Sequence, residues 1–430
     1  MNTRALLSMP LFALCALLHA CGGGGGSNES SAAPPPQASA PATASAAATA
    51  SAATPASAPS SAAADTTVPQ STTPNVQTIR VASNSTNTRN ILQTSVTICV
   101  PGTSTCQTID NIQVDTGSHG LRILASALSP SIALPLVAGS NQSAVVAECA
   151  VFGSGYTWGA VRTADVRLAG QVARSTSVQL IADSAAPTTA QDCTQSGLPM
   201  LSASSLRANG ILGVGPFSAD CGAGCAVTAM PRWYYSCVSA NCVASTLAVA
   251  QQVTNPVANF ASDNNGVLIE LPDVPDNGAA TVTGTMTFGI GSQSNNLLGQ
   301  ATVLKSNSLS GYVTTDFGGS QYASSFIDSG SNGVFFPSTT LAKCGVWYCP
   351  STPQTIAATI RSPSGAQSAV SFTIAQSTAL FGTGNFAFDN LAGSASGYFD
   401  WGLPFFYGRR VFTALAGRAT PAGPGPYYAF

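Results

Sequence analysis

One short phrase occurs twice in the chain, and it restricts the folds that the sequence can adopt. The first copy reads VDTGSHGL at residues 114–121, and the second reads IDSGSNGV at residues 327–334. In both copies an apolar residue is followed by aspartate, a hydroxyl residue, glycine, serine, any residue, glycine and a second apolar residue. Only 17 of the 430 residues are acidic, so two matched acidic loops predict a fold in which the two halves contribute equivalent loops.

The two loops supply a pair of carboxylates. If the apolar residues end strands, Gly117 and Gly330 allow the sharp turns that would direct Asp115 and Asp328 into a shared cleft. Two carboxyl groups within hydrogen-bonding range share one proton and titrate together. Such a pair holds a water between a base and an acid, so the phrase predicts hydrolysis of an amide without a metal or a nucleophilic side chain.

A single Asp-Ser/Thr-Gly triplet is ordinary turn chemistry, so the surrounding segments matter. Between the two loops the chain contains a glycine-rich segment at residues 152–155, an apolar-apolar-Gly element at residues 211–213, and the segments 255–260 and 284–289. The second loop is followed near the end of the chain by GLPFF at residues 402–406. The order of these segments favours one repeated architecture over two unrelated turns.

In these motifs the sequence resembles the pepsin-like aspartic peptidases, and the resemblance spans most of residues 77–430. It implies an all-β, bilobal fold of two β-barrel-like lobes with a central cleft. The first lobe would comprise residues 77–295, with the first aspartate loop, a flap and a cysteine-rich insertion, and the second lobe would comprise residues 296–430. The strand-like runs 95–100, 161–168 and 281–290 agree with an all-β class.

The resemblance also implies roles for individual residues. Asp115 and Asp328 would be the catalytic pair, and Gly117 and Gly330 would shape their loops. Thr116 and Ser329 would hydrogen-bond to the opposite loop, while Ser118 and Ser331 would support the outer carboxylate oxygens. The flap over the cleft would consist of Phe152, Gly153, Ser154, Gly155 and Tyr156.

The chain departs from that family at several of these positions. Phe152 stands where the family has a flap tyrosine, so its hydroxyl is missing unless Tyr156 or Trp158 replaces it. Arg122 stands where a tryptophan commonly follows the first loop. These departures keep a second hypothesis open, namely a non-catalytic lipoprotein that binds a peptide or a glycan in the same groove.

The amino terminus predicts export and attachment to a membrane. Residues 1–20 combine Arg4 with an apolar run from 5 to 18, which is typical of a signal peptide. Cys21 resembles the acylated cysteine of bacterial lipoproteins, and the alternative is plain secretion with cleavage near Ala20. Residues 21–76 are rich in Gly, Ala, Ser and Pro and predict a disordered linker. By resemblance to bacterial sorting rules, Gly22 favours the outer membrane, on its periplasmic or surface face.

The cysteines agree with an exported protein. Besides Cys15 and Cys21, ten remain and fall into pairs that are close in sequence, which is typical of disulfides. Neighbours need not be partners, and the four cysteines between 221 and 242 allow nested bridges or a zinc site. The candidate pairs are Cys99 with Cys106, Cys149 with Cys193, Cys221 with Cys225, Cys237 with Cys242, and Cys344 with Cys349.

Composition argues against several other functions. Charged residues make up 7% and the net charge is −2, so no basic surface for nucleic acid is expected. Outside the signal peptide the only histidine is His119, and no G-x-S-x-G motif is present, which disfavours a serine hydrolase. We therefore expect a monomeric aspartic endopeptidase that acts on peptides or unfolded proteins, without a cofactor or a metal. The place of His119 in the cleft is left open.

Overall fold

A computed structural model describes residues 71, 73–139 and 143–430. The predicted signal peptide, Cys21 and almost all of the predicted linker lie outside these residues. Of that linker, Val76 already belongs to the first strand and Asn75 is buried, where its side-chain amide donates to the carbonyl of Phe288 at 2.8 Å. The folded part therefore begins before residue 77, because Asn75 is buried and hydrogen-bonded to Phe288.

The fold is all-β, as predicted, with strands throughout and only short helices. None of the helices in the described ranges is long and apolar enough to cross a bilayer. The strands are β1 (Val76–Val81), β2 (Gln93–Cys99), β3 (Cys106–Asp115), β4 (His119–Leu124), β5 (Val145–Phe152), β6 (Gly155–Leu168), β7 (Gln171–Ile181), β8 (Gly210–Val214), β9 (Tyr234–Val238), β10 (Asn241–Ala244), β11 (Gly266–Leu271), β12 (Val282–Phe288), β13 (Val303–Lys305), β14 (Val313–Phe317), β15 (Ser320–Ile327), β16 (Val334–Phe336), β17 (Lys343–Cys344), β18 (Trp347–Tyr348), β19 (Gln354–Arg361), β20 (Gln367–Ile374), β21 (Ala392–Ser394), β22 (Phe399–Trp401), β23 (Arg409–Ala414) and β24 (Tyr427–Ala429). The α-helices are α1 (Gln191–Thr194), α2 (Ala203–Leu206), α3 (Ala223–Val227) and α4 (Ser377–Gly382), and the 3₁₀ helices are Ala125–Ala127, Val249–Gln251, Pro256–Asn259 and Leu403–Phe406.

The strands form two sheets that curl into barrel-like shapes. The larger sheet has 15 strands in the order β10-β9-β5-β6-β7-β4-β8-β3-β2-β1-β12-β11-β23-β24-β13, and β6 also pairs with β2. That additional pairing closes part of the sheet on itself. The smaller sheet has nine strands in the order β17-β18-β21-β16-β22-β15-β14-β19-β20.

The same strand arrangement surrounds both aspartate loops. In the larger sheet, β8 lies between β3 and β4, parallel to the first and antiparallel to the second. In the smaller sheet, β22 lies in the same way between β15 and β16. The loop that joins the outer two strands must therefore pass over the end of the inserted strand. Each aspartate lies where such a loop begins: Asp115 is at the end of β3, and Asp328 comes just after β15.

Strand pairing crosses the predicted boundary between residues 295 and 296. Strands β13, β23 and β24 come from the predicted second lobe but belong to the larger sheet, where β23 pairs along its whole length with β11. The largest cluster of buried apolar side chains likewise includes Ile79 from the larger sheet and Phe336 and Trp401 from the smaller one. No single division of the sequence separates the two sheets, because strands β23 and β24 near the carboxyl terminus belong to the larger sheet.

Five disulfides join the ten predicted cysteines. The pairs are Cys99–Cys106, Cys149–Cys193, Cys221–Cys225, Cys237–Cys242 and Cys344–Cys349, so each cysteine is bonded to its predicted partner. The four cysteines between 221 and 242 all form such bridges, so nested pairing does not occur and no thiolate is left for zinc at that cluster.

Two of these bridges differ in what they connect. The bridge between Cys149 and Cys193 links β5 to α1 and spans 44 residues, the longest loop of the five. The bridge between Cys344 and Cys349 spans five residues and closes the β17–β18 hairpin at the edge of the smaller sheet. Cys344 is exposed and Cys349 is buried. This second bridge therefore supports a local turn and does not line the aspartate cleft described below.

Candidate active site

The two loops of the repeated phrase meet face to face between the two sheets. A methyl group placed on Gly117 would lie 2.6 Å from Cγ of Asp328, and one placed on Gly330 would lie 2.6 Å from Cγ of Asp115. Each carboxyl group is thus packed against the glycine of the opposite loop. Only glycine permits this approach at either position, because a Cβ atom would overlap the carboxyl carbon.

Thr116 and Ser329 join the loops by a reciprocal set of four hydrogen bonds. The Thr116 hydroxyl donates to the carbonyl of Ile327 at 2.9 Å and accepts from the backbone N–H of Ser329 at 2.9 Å. The Ser329 hydroxyl donates to the carbonyl of Val114 at 2.9 Å and accepts from the N–H of Thr116 at 3.1 Å. All four lie in the interior, where exchange with water does not weaken them. They fix the separation of the two aspartates.

Each carboxyl group also receives two hydrogen bonds within its own loop. Oδ1 of Asp115 accepts from the N–H of Gly117 at 2.8 Å, and Oδ2 accepts from the hydroxyl of Ser118 at 2.6 Å. In the second loop, Asp328 accepts from Gly330 at 2.7 Å and from Ser331 at 2.8 Å. The two loops therefore present their carboxyl groups in equivalent orientations.

The electrostatics of the pair favour one shared proton. Asp115 and Asp328 are each 7% exposed, and each carboxyl group packs against the glycine of the opposite loop. Burial raises the pKa of Asp328 well above its usual range, and repulsion from Asp115 adds to the rise, whereas the Ser331 and Gly330 donors oppose it. One carboxyl of the pair is thus held in the protonated form while its neighbour is the acceptor.

A cavity of about 430 Å³ opens above the two carboxyl groups. Its wall combines the aspartate loops with apolar side chains from both sheets, and its polar members include Gln113, Arg122 and Asp220. The apolar lining residues include Ile91, Val151, Phe152, Met200, Leu206, Ile211, Phe217, Met230, Trp233, Leu309, Tyr312, Phe326 and Tyr428. An apolar wall with a few convergent polar groups is the usual form of a ligand site.

The hairpin of β5 and β6, residues 145–168, lies over this cavity as the predicted flap and is named the flap hairpin below. Phe152, Gly153 and Ser154 line the cavity, whereas Tyr156 and Trp158 are 5% and 2% exposed and pack into a separate apolar cluster. The indole N–H of Trp158 donates to the carbonyl of Ala186 at 2.9 Å. Neither side chain therefore replaces the missing hydroxyl, and Phe152 is the aromatic residue of the hairpin that faces the cleft.

Next to its tip, the flap hairpin is hydrogen-bonded to the segment after α1. The N–H of Tyr156 donates to the carbonyl of Leu198 at 2.9 Å, and the N–H of Met200 donates to the carbonyl of Tyr156 at 2.8 Å. The disulfide Cys149–Cys193 adds a covalent link to the same region. Gly155 meets the backbone of Leu198 with no room for a side chain. The flap hairpin is therefore anchored to this segment close to its tip.

His119 lies beside the first loop and is neutral. Burial lowers the pKa of His119 to about 3, and the positive charge of Arg122 adds to that effect. Its ring packs edge-on against Phe217 with 5.2 Å between centroids. A neutral imidazole at this position adds no charge to the dyad at mildly acidic or neutral pH.

A second buried acid pair, Glu148 and Asp220, lies at the cavity wall beside Arg122, and sequence reasoning did not find it. Arg122 donates to Glu148, to Asp220 at 3.0 Å and to the carbonyl of His119 at 2.8 Å. Burial raises the pKa of Asp220 well above its usual range, and repulsion from Glu148 adds to the rise. The hydroxyl of Tyr234 donates to Asp220 at 2.6 Å. The sequence signal for this pair was Glu148, which is the only acidic residue of the otherwise apolar strand β5.

The chemistry of the site is that of a proton-sharing carboxyl pair. Among the residues that the structure describes, no group of three or more His, Cys, Asp or Glu is arranged to hold a metal ion. The dyad offers one base and one acid at a single point in an apolar cleft. This arrangement is able to activate water towards a carbonyl group.

Comparison with known proteins places the chain in a family. A comparison with curated proteins gives no match. Residues 71–430 match the family model described as "Protein of unknown function (DUF3443)". The match covers the whole folded part that surrounds Asp115 and Asp328. The chain therefore belongs to the DUF3443 family.

Proposed function

We propose that this protein is an aspartic endopeptidase with a pepsin-like, bilobal fold. The observation that carries the proposal is the close approach of the Asp115 and Asp328 carboxyl groups, each packed against the glycine of the opposite loop and fixed by the reciprocal bonds of Thr116 and Ser329. A buried pair of like-charged groups is unfavourable for folding alone, so its presence in a cleft points to chemistry.

The proposed mechanism needs one water and one proton on the pair. The ionised carboxylate removes a proton from the water as its oxygen attacks the peptide carbonyl, and the protonated carboxyl donates to the developing oxyanion. When the tetrahedral intermediate collapses, the C–N bond breaks, the amine leaves with a proton from the pair, and a hydroxyl of the intermediate returns its proton to the pair as the carboxyl product forms. The pair ends the cycle with one proton, as it began.

The cleft suits an extended peptide. Apolar side chains on both walls, among them Phe152, Ile211 and Phe326, would contact alternate residues of a bound strand. The flap hairpin lies over the dyad and would exclude bulk water from the reacting bond. The substrate class is therefore peptide or unfolded protein with apolar residues next to the cleaved bond.

The strand arrangement supports the pepsin-like part of the proposal. Both aspartates sit at the end of a strand whose loop passes over an inserted neighbour, β8 for Asp115 and β22 for Asp328. The inserted strands carry Leu212-Gly213 and Trp401-Gly402 beside the respective aspartates. Two copies of one arrangement, related through the dyad, are what a bilobal aspartic peptidase requires.

The test uses purified protein and a pool of unstructured peptides at pH values from 3 to 7, with products identified by mass spectrometry. We expect internal cleavage that stops on addition of a pepstatin-type inhibitor, which mimics the tetrahedral intermediate. Chymostatin, an inhibitor of serine and cysteine peptidases, is the control and should have no effect. Cleavage that resists the pepstatin-type inhibitor would contradict the proposal.

One observation favours a second function, the binding of a peptide or a glycan without turnover. Phe152 lacks the hydroxyl that the resembled peptidases have on the flap, and Tyr156 does not supply it. The same experiment separates the two functions. Saturable binding of peptides by a protein that yields no products at any pH would assign the binding role.

The location that we propose for this activity is the bacterial outer membrane, with Cys21 as the acylated residue. Labelling with a fatty acid analogue in a bacterial host tests it. The wild-type chain should take up the label and Cys21→Ser should not. Equal labelling of the two chains, or none in either, would refute the anchor without affecting the peptidase proposal.

A further inference from the structure

Arg122 and Glu148 connect two strands that share no backbone hydrogen bonds. In the larger sheet, β6 and β7 separate β4 from β5. Arg122 is on β4, directly after the first aspartate loop, and Glu148 is on β5, the first strand of the flap hairpin. Their side chains meet because the sheet curls, so the ion pair is a direct link between the aspartate loop and the flap hairpin.

The guanidinium group of Arg122 is held rigidly in this position. Arg122 is 2% exposed, and its two terminal nitrogens donate to Glu148, to Asp220 and to the carbonyl of His119. Asp220 is fixed in turn by the hydroxyl of Tyr234, which lies opposite Glu148 in the β5–β9 ladder. The guanidinium contacts both acids, so its positive charge offsets part of the cost of burying them.

The fixed guanidinium contacts the tip of the flap hairpin. Its Cζ lies 5.7 Å from the ring centroid of Phe152, within the range of a cation–π contact. Phe152 in turn lines the cavity above Asp115 and Asp328. The ring is therefore held by a charge whose own position is set by three hydrogen bonds.

We propose that Arg122 is the positioning residue of the flap hairpin, which it holds over the dyad through Glu148 at the base and Phe152 at the tip. This contact takes the place of the hydrogen bond that a hydroxyl on Phe152 would provide. Arg122 acts through Phe152 and has no direct part in proton transfer. The kinetic consequences rest on the proposed peptidase function, but the positional claim does not.

Amide hydrogen exchange tests the positional claim without any catalysis. It is measured for residues 151–157 in the Asp328→Asn background, with Arg122→Lys and Phe152→Leu added singly. Lysine keeps the charge but lacks the planar fork that contacts both acids, and leucine removes the ring while leaving the cluster intact. We expect exchange in this segment to accelerate roughly 2- to 30-fold, the range of a cation–π contact.

The matched control is Arg162→Lys. Arg162 also forms a bidentate ion pair, with Asp183, on the second strand of the flap hairpin, but its partners lie away from Phe152. We expect its loss to leave the exchange of residues 151–157 unchanged relative to the rest of the chain. Equal acceleration in this control, or none in Arg122→Lys and Phe152→Leu, would overturn the proposal.

Kinetics in the otherwise wild-type protein give a second readout. Phe152→Leu should raise KM about tenfold with an unchanged pH profile, because the hairpin closes less often over bound peptide. Phe152→Tyr keeps the ring and should restore KM to within about twofold of wild type. A lower kcat at constant KM would indicate fewer folded molecules and would contradict positioning. If no variant or wild type cleaves peptides, the peptidase proposal fails and the exchange data still decide the role of Arg122.

Discussion

Replacing Asp328 by asparagine should stabilise the fold at neutral pH and have a smaller effect at acidic pH. Asp328 and Asp115 are both nearly buried in facing loops, and burial followed by repulsion from Asp115 raises the pKa of Asp328. In the unfolded chain both carboxyl groups are ionised above about pH 5. The folded pair retains one proton there, so the folded state is the one that binds more protons.

The size of the effect follows from proton linkage. A group whose pKa is raised in the folded state contributes stability at low pH that is lost as the pH rises towards the folded pKa. With one extra proton bound in the folded state, the free energy of unfolding falls by about 1.4 kcal/mol per pH unit. The asparagine side chain in Asp328→Asn cannot titrate, so this slope is absent from the variant. As the pH rises from the unfolded pKa towards the folded pKa of Asp328, the variant should gain up to about 1.4 kcal/mol per pH unit on the wild type.

Urea denaturation at pH 5, 6 and 7, at constant ionic strength and without reductant, measures the two slopes. His119 and the Glu148–Asp220 pair contribute equally to both proteins and cancel in the difference. Asp316→Asn, on the smaller sheet and away from the cavity, is the control and should keep the wild-type slope. Parallel stability curves for wild type and Asp328→Asn would refute the shared proton.

Three further predictions concern the same site. His119→Gln should remove an acid-side instability, because burial and Arg122 lower the pKa of His119 to about 3. The imidazole therefore subtracts about 1.4 kcal/mol of stability per pH unit as the pH falls from 6.5 towards 3. Denaturation of both proteins at pH 4 and 6 checks whether the difference in stability between variant and wild type grows at the lower pH. Ser329→Ala leaves two buried backbone partners unpaired, so it should lower the free energy of unfolding by about 2 kcal/mol and reduce kcat. An unchanged kcat would mean that the cross-loop bonds do not fix the positions of the two aspartates. Gly330→Ala should abolish peptide cleavage because its Cβ would lie 2.6 Å from Cγ of Asp115, whereas the control Gly382→Ala, whose Cβ has nothing within 4 Å, should leave cleavage unchanged. Activity in Gly330→Ala would show that the loops are free to separate.

The aspartate loops could be predicted from sequence because their information is local. In each copy a strand end, an acid, a hydroxyl residue and a glycine follow within a few positions, so the turn and its side chains are specified together. The structure brings Asp115 and Asp328 together with the contacts expected for Thr116 and Ser329. The all-β class was predictable for the same reason, since apolar strand runs alternate with turn residues.

A disulfide is easier to predict from the sequence when the loop between its two cysteines is short. Cys344 and Cys349 lie on either side of one turn, so the hairpin that brings them together is encoded between them. The bridge from Cys149 to Cys193 instead joins residues 44 positions apart. Its pairing depends on how β5 and α1 pack, which no pattern between the two cysteines specifies.

The rest of the site depends on contacts between distant parts of the chain. Glu148 and Asp220 form a pair with Arg122 only because the sheet curls and a loop folds back, and the acid within the apolar β5 does not by itself indicate its partners. The side to which Tyr156 points depends on the register of β5 with β6, which sequence alone leaves open. The return of β23 to the larger sheet was missed because its partner β11 lies far earlier in the chain.

Turnover of one identified peptide by the wild type, Asp115→Asn and Asp328→Asn gives the sharpest test of the proposed chemistry. If water is activated between the two carboxyl groups, each variant should stay folded, as judged by its disulfides and its unfolding transition. Each should also lose kcat by on the order of 10³-fold or more, since general acid–base catalysis is removed. Cleavage that continues at the wild-type rate in either folded variant would show that the dyad does not perform the hydrolysis.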